Sequence, residues 1–154
     1  MSAPQIDESA LAAWRALLNA HALVIRRIEA DLQAAGLPPL GWYDVLWAIY
    51  RSEEGRLRIH ELADEVVLSR TGMSRLVDRI ERAGLLRREP VPGDGRGAHA
   101  VITEDGVETL RRIWPVYARG IEQLFLVPVE DDAATLRAAL ERVTVAARSA
   151  SSAR

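Results

Sequence analysis

The stretch SRTGMSRLVDRIERAGLLRR, residues 69–88, carries six arginines and two acidic residues in a chain whose formal net charge is -2. Four hydrophobic residues within it recur at steps of three and four, which predicts one buried face of an α-helix. They are Met73, Leu76, Val77 and Ile80. Ser69 suits the N-cap and Gly84 the C-terminal cap. The stretch therefore predicts an amphipathic helix with a basic polar face.

Positive charge is concentrated in the middle of the chain. Residues 66–103 have a net charge of +3, whereas the remainder has a net charge of -5. All twenty basic residues are arginine, which biased codon usage explains more simply than function, so the distribution of charge is the more informative feature. A basic surface in an acidic chain favours a polyanionic partner such as nucleic acid.

The sequence before this stretch predicts three helices. A hydrophobic seam of about seven turns predicts a long first helix, ended by Gly36 and the Pro38-Pro39 pair. The seam consists of Leu11, Trp14, Leu18, His21, Ile25, Ile28 and Leu32. A second helix is predicted over residues 42–51, and a short third helix over residues 57–67.

The sequence after it predicts a β-hairpin and two further helices. LLRREP and AHAVI are typical of strands, and PVPGDGRG between them is typical of a turn. Thr103 is suited to cap a long helix that Pro115 should kink and Pro128 should end. A last helix begins in VEDD, and SASSAR, residues 149–154, is expected to be a disordered tail.

This order of elements predicts a mainly α fold with a small β-hairpin wing, a winged helix-turn-helix. In that fold the second helix of the pair lies in the DNA major groove and places its N-terminal residues against base edges. Base-reading candidates are Arg70, Thr71, Ser74 and Arg75. Arg79 and Arg88 lie further along, where they can contact phosphates or pair with Asp78, Glu81 or Glu89. A merely solvated charged face is the alternative.

Arg96 lies in GDGRG, which we place at the tip of the hairpin. An arginine there can enter a minor groove narrowed by A·T-rich sequence, with Asp94 orienting it or capping the turn. An ordinary Asp-Gly turn without DNA contact is the alternative.

Two segments carry a family resemblance. LSRTGMSRLVDRIERAGLLRREP resembles the recognition helix and first wing strand of the multiple antibiotic resistance regulator (MarR) family. DGRGAHAVITEDG resembles the family's wing, its Asp-x-Arg pattern and its Thr-x-x-Gly helix start. Gly72 departs from the β-branched or hydroxyl residue expected there, and Pro115 and Gly120 make the fifth helix less regular.

The resemblance implies a homodimeric, ligand-responsive transcription factor, usually a repressor. It implies one domain over residues 1–154, with a winged helix-turn-helix at 37–103 and N- and C-terminal dimerisation helices at 7–34 and 104–148. Two-fold association would place two recognition helices ~34 Å apart on a pseudo-palindromic operator in double-stranded DNA. The alternative is that the terminal helices fold back onto their own core.

Aromatic residues suggest a ligand pocket. Trp42, Tyr43 and Trp47 occupy more than one face of the second helix, and Trp14 and His21 share the seam of the first. An aromatic-walled site for a small aromatic or amphipathic ligand is one interpretation, and membership of the core is the other.

Other classes of protein find less support. The chain lacks cysteine and lysine, which excludes thiolate metal sites and P-loops, and the three histidines have no metal-ligand spacing. We therefore expect no enzyme activity, cofactor or metal. Neither a signal peptide nor a membrane span is readable, so we expect a cytoplasmic location without membrane contact. A winged helix used only for protein contact is the remaining alternative.

Overall fold

The structure, a computed structural model, describes residues 5–66 and 70–152, without the side chains of residues 70, 71, 151 and 152. Two compact units are formed, the first ending at Tyr117 and the second beginning at Ala118. The division lies inside a helix.

In the described residues, four helices precede the β-hairpin, in the predicted order. They are α1 (Glu8–Ala34), α2 (Leu40–Tyr50), α3 (Ile59–Glu65) and α4 (Arg70–Arg82). Asp7 caps α1 by accepting a hydrogen bond from the Ala10 amide at 3.1 Å. The α2 N-terminus has no side-chain cap of its own; instead the Leu40 amide donates to the Glu29 Oε1 atom of α1 at 3.0 Å. This bond fixes α1 against the start of α2.

A three-stranded antiparallel sheet forms the wing. The strands are β1 (Arg56–Arg58), β2 (Leu86–Val91) and β3 (Asp94–Ile102), in the spatial order β1-β3-β2. The predicted hairpin is confirmed as β2 and β3. Strand β1, which follows a 3-10 turn at Glu53–Gly55, was not predicted.

Helix α2 lies at the centre of the first unit, where it contacts α1, α3, α4, β1 and β3. Six of its side chains are buried together with the predicted stripe of α4: Leu40, Tyr43, Val45, Leu46, Ala48 and Ile49. Of the α1 seam, Ile28 and Leu32 are buried, whereas Trp14 and Leu18 are about half exposed, at 54% and 49%. The core therefore holds only the C-terminal part of α1.

The remaining helices are α5 (Glu104–Ile121), α6 (Val127–Val129) and α7 (Ala133–Ser152). Helix α5 includes Pro115 and is followed by a π-helical turn at Glu122–Leu126. The chain turns at Glu130, whose φ is 48°, and a 3-10 turn, Glu130–Asp132, leads into α7. Residues 149–152, expected in a disordered tail, instead continue α7, since nothing in SASS stops a helix already formed.

In the described residues, no helix combines the length and apolar character needed to cross a membrane.

Candidate nucleic-acid interface

Helix α4 divides cleanly into a buried and an exposed face. Met73, Leu76, Val77 and Ile80 are all at most 6% exposed, which confirms the predicted stripe. The helix ends as predicted, because Gly84 adopts φ 77° and the Leu85 amide reaches back to the Ile80 carbonyl at 3.2 Å. The buried face therefore orients the polar face.

The exposed face of α4 carries the cations. Ser74, Arg75, Arg79 and Arg82 are exposed, and no ion pair joins these three arginines to any described residue. Arg70 and Thr71 lie in the first turn of the helix, but their side chains are outside the described part of the chain, as is Ser69. Exposed guanidinium groups along this face of α4 suit contacts with bases and phosphates.

The wing differs from the prediction in where its tip lies. Val91 pairs with Asp94, so the hairpin loop is Pro92-Gly93, with φ 80° at Gly93. Pro90, however, pairs with Ala98, and this register shift leaves residues 95–97 as a bulge. Arg96 is therefore in the bulge of β3 and not at the tip, and a bulge of this kind redirects a side chain away from the ladder.

The Asp94 side chain stabilises this bulge by hydrogen bonding to its backbone. Its Oδ1 atom accepts hydrogen bonds from the amides of Arg96 and Gly97, both at 3.1 Å, and its Oδ2 atom lies 3.7 Å from Arg58. A Cβ atom on Gly97 would lie 2.4 Å from that Oδ2 atom. Asp94 thus orients the backbone around the exposed Arg96. Gly97, which was not predicted to have a role, leaves space for the Asp94 carboxylate.

Helix α4 and the wing border a common depression of about 380 Å³. Ser74, Arg88 and Arg96 line it, together with His60 of α3. The structure therefore brings three of the predicted DNA-binding residues to one surface.

Arg88 is engaged within the protein. Its guanidinium lies 2.6 Å from Asp78 Oδ1 and also hydrogen bonds to Glu81, which in turn accepts the Arg88 amide at 3.2 Å. Partial burial opposes the charge of Arg88, but the bonds and charges of Asp78 and Glu81 raise its pKa. Of the two roles considered for Arg88, the structure shows intramolecular pairing, which ties β2 to α4.

Replacing Arg88 with alanine should therefore lower the stability of the free protein, by about 1 kcal/mol. Urea unfolding measures this change. Arg87→Ala is the matched control, because Glu89 of the same strand is the one described residue that pairs with Arg87, and Arg87 is more exposed. A loss of DNA affinity by Arg88→Ala with unchanged stability would instead assign Arg88 to phosphate contact.

The start of α5 is anchored to the corner between α4 and β2. The Thr103 hydroxyl donates to the Gly84 carbonyl at 2.7 Å and accepts the Gly106 amide at 3.1 Å, and the Thr103 amide donates to Leu85 O at 3.1 Å. A Cβ atom on Gly106 would lie 2.1 Å from Leu85 O. The Thr-x-x-Gly pattern therefore encodes a helix cap and a close backbone approach.

A second depression, of about 550 Å³, lies between α1, α2 and the end of α3. Of the five residues predicted to bind a ligand, His21 and Trp47 line it, whereas Trp14, Trp42 and Tyr43 do not. Glu29, Asp44, Arg51 and Glu65 also line it. The sequence signal for these charged residues was absent, because they are spread over three helices.

The aromatic residues form a stacked series. Tyr43 is buried and stacks on Trp47 and Trp114, at 6.2 Å and 6.3 Å between ring centroids. Trp47 in turn stacks on Tyr50 at 5.7 Å, and Tyr117 meets Tyr43 edge-on at 5.2 Å. Tyr43 therefore supports the pocket wall by stacking on Trp47. Trp47 lines the pocket, whereas Tyr43 belongs to the core.

The helix pair α3–α4 with its three-stranded wing and exposed basic face defines a winged helix-turn-helix protein. A MarR family model matches residues 35–97. AbsC, a MarR family transcriptional regulator from Streptomyces coelicolor, is 31% identical, with 96% of this chain and 99% of AbsC covered and a TM-score of 0.86.

Two further relatives are also transcriptional regulators. Sco3205, a MarR family regulator from Streptomyces coelicolor solved in complex with DNA, is 27% identical, with 93% of this chain and 90% of that chain covered and a TM-score of 0.84. The transcriptional regulator MhqR of Bacillus subtilis (strain 168) is 27% identical, over 93% of this chain and 97% of its own length. The chain belongs to the MarR family, and it is a DNA-binding transcriptional regulator.

Proposed function

We propose that this protein is a homodimeric, ligand-responsive repressor that acts from the cytoplasm by binding a pseudo-palindromic operator, without catalysing a reaction. The observation that carries the proposal is the shared surface of Ser74 on α4 and Arg96 on the wing. Arg75, Arg79 and Arg82 of α4 are also exposed and form no ion pair with a described residue. The DNA complex of the relative Sco3205 supports this use of the fold.

Each side chain has a distinct role in the proposal. Ser74 and Arg75, with Arg70 and Thr71 before them, read base edges, because the first turns of a recognition helix lie deepest in the major groove. Arg79 contacts phosphate. Arg96 enters the minor groove, and Asp94 positions it.

Exposed apolar side chains support the homodimer. Within the first unit, Trp14, Leu18 and Leu23 are exposed along α1. Within the second unit, Phe125, Leu126, Val127, Val143 and Val145 are exposed. Apolar surface of this extent on a monomer marks an association site, and a two-fold partner would cover it while pairing two recognition helices.

The pocket of α1, α2 and α3 supports response to a ligand. Glu65 and Val66 of its lining end the α3 segment, and α3 is the helix that packs against α4. A ligand that prefers one placement of α3 would change DNA affinity by its difference in affinity for the two states.

Substitution of Arg96 tests the wing. Arg96→Ala should weaken binding to an operator with A·T-rich flanks by about tenfold, roughly 1.4 kcal/mol, because the narrowed minor groove attracts the guanidinium. The same operator with G·C-rich flanks is the control and should lose less. Equal affinity of variant and wild type on both duplexes, measured by fluorescence anisotropy, would show that Arg96 does not reach the groove.

A further inference from the structure

The pocket between α1, α2 and α3 has a charge that restricts its ligands. Arg51, the one arginine among the described residues of its lining, forms an ion pair with Glu65. Glu29 and Asp44 then remain, and one oxygen of Glu29 already accepts the Leu40 amide. With Arg51 neutralised, the lining keeps two carboxylates without a cationic partner among the described residues. An anionic ligand would be repelled by this lining, and a cation would be attracted.

The wall beside Asp44 is aromatic. Trp47 is 44% exposed and stacks on Tyr43 and on Tyr50, with interplanar angles of 10° and 28°. The part of its indole that stays exposed lines the pocket and can attract a cation or contact an aromatic ring. Carboxylates next to an exposed aromatic ring are the chemistry that recognises ammonium groups with an apolar body.

We propose that this pocket binds an organic cation with an aromatic or alkyl body, placing its charge near Asp44 and Glu29 and its body against Trp47. The inference rests on the proposed function, in which this pocket is the sensory site. A volume of about 550 Å³ accommodates a substituted aromatic ammonium ion. This class narrows the small aromatic or amphipathic ligand that the aromatic residues alone suggested to one that carries a positive charge.

The energetics of Asp44 agree with this assignment. Desolvation at the pocket wall, and then repulsion from Glu29, raise the pKa of the Asp44 carboxyl. A raised carboxyl pKa means that the folded state disfavours the charge, so the free protein is less stable above that pKa than it would be with a neutral side chain. A cation between the two carboxylates would relieve this repulsion, and Asp44→Asn should leave thermal stability unchanged or raise it.

Calorimetric titration of the full chain without DNA tests the proposal. The probes are benzyltrimethylammonium, its uncharged isostere neopentylbenzene, and benzoate. The cation should bind at least about tenfold more tightly than either of the others. Asp44→Asn and Glu29→Gln should each weaken cation binding by about tenfold, whereas Asp31→Asn, which removes a carboxylate that pairs with Arg27 on α1, should not.

Two results would overturn the proposal: benzoate binding more tightly than the cation, or cation binding unchanged by both pocket substitutions. Absence of cation binding by a preparation that binds its operator also overturns it, and the regulator assignment then stands. Wild-type protein that binds operator and scrambled duplexes equally would instead remove the proposed function, whatever the cation does. Retention of the melting temperature by Asp44→Asn shows that lost binding is not lost folding.

Discussion

Gly106→Ala will destabilise the protein by about 3 kcal/mol, lowering its melting temperature by about 10 °C. The added Cβ atom would lie 2.1 Å from the Leu85 carbonyl oxygen and 2.8 Å from Ile102 Cγ1. The first of these neighbours is backbone and belongs to the corner to which Thr103 is hydrogen bonded. The steric overlap can therefore be removed only if the start of α5 moves away from β2 and the end of α4.

Gly41→Ala is the matched control for this prediction. Gly41 lies in the first turn of α2, and its added Cβ atom would meet only Leu76 Cδ2, at an ordinary 3.9 Å. Alanine should be neutral there or stabilise the helix by about 0.5 to 1 kcal/mol. Differential scanning calorimetry separates the two variants. A Gly106→Ala melting temperature within two or three degrees of wild type, roughly 1 kcal/mol, would contradict the close approach.

Arg75→Ala will weaken binding to the specific operator by about 2 to 6 kcal/mol, since a bidentate arginine–guanine contact discriminates by ~1 to 3 kcal/mol and the proposed dimer contains two copies. The loss is roughly 30-fold or more. Preference at one base position per half-site should disappear at the same time. Competition titration against a set of operators with single base changes measures both effects.

Arg27→Ala controls for the loss of one positive charge. Arg27 lies on α1 and pairs with Asp31, away from the basic face of α4, so its removal should leave operator preference intact. Equal losses on every duplex from Arg75→Ala would mean that Arg75 contacts phosphate and reads no base.

The helices could be predicted from the sequence because their signals are local. The spacing of Met73, Leu76, Val77 and Ile80 defines the buried face of α4, and Gly84 marks its end through a backbone conformation that glycine favours. The same spacing predicted which face is presented outward. Thr103 was likewise predicted as a cap from its position alone.

Strand β1 could not be predicted, because its three residues owe their conformation to a distant partner. Arg56 pairs with Val101 and Arg58 with His99, more than forty residues along the chain. A charged, three-residue segment has no strand pattern of its own. Pairing with an existing hairpin edge makes it a strand.

The misplaced wing tip has a similar cause. Both Pro92-Gly93 and the later Gly-rich run satisfy the rules for a turn, so the sequence does not choose between them. The pairing register between β2 and β3 places the turn at Pro92-Gly93 and leaves Arg96 in a bulge. The choice between the two roles of Arg88 also required the structure, because its partners Asp78 and Glu81 lie on a different element, α4.

The pocket could be predicted only in part. Trp47 and His21 were identified by residue type, but the carboxylates that set the charge of the site lie on α1, α2 and α3 and share no spacing. These carboxylates come together only because the three helices pack against one another. Conversely, Trp42 does not line the pocket, despite its aromatic character.

Sequence-specific DNA binding is tested most directly by titration of the purified protein into labelled duplex from its own upstream intergenic region and into a scrambled duplex, across a salt series. We expect saturable, salt-sensitive binding to the first duplex at two protomers per site, ~10³-fold or more above the second. Equal, weak binding to both duplexes would contradict sequence-specific recognition of that region by the α4 and wing surface.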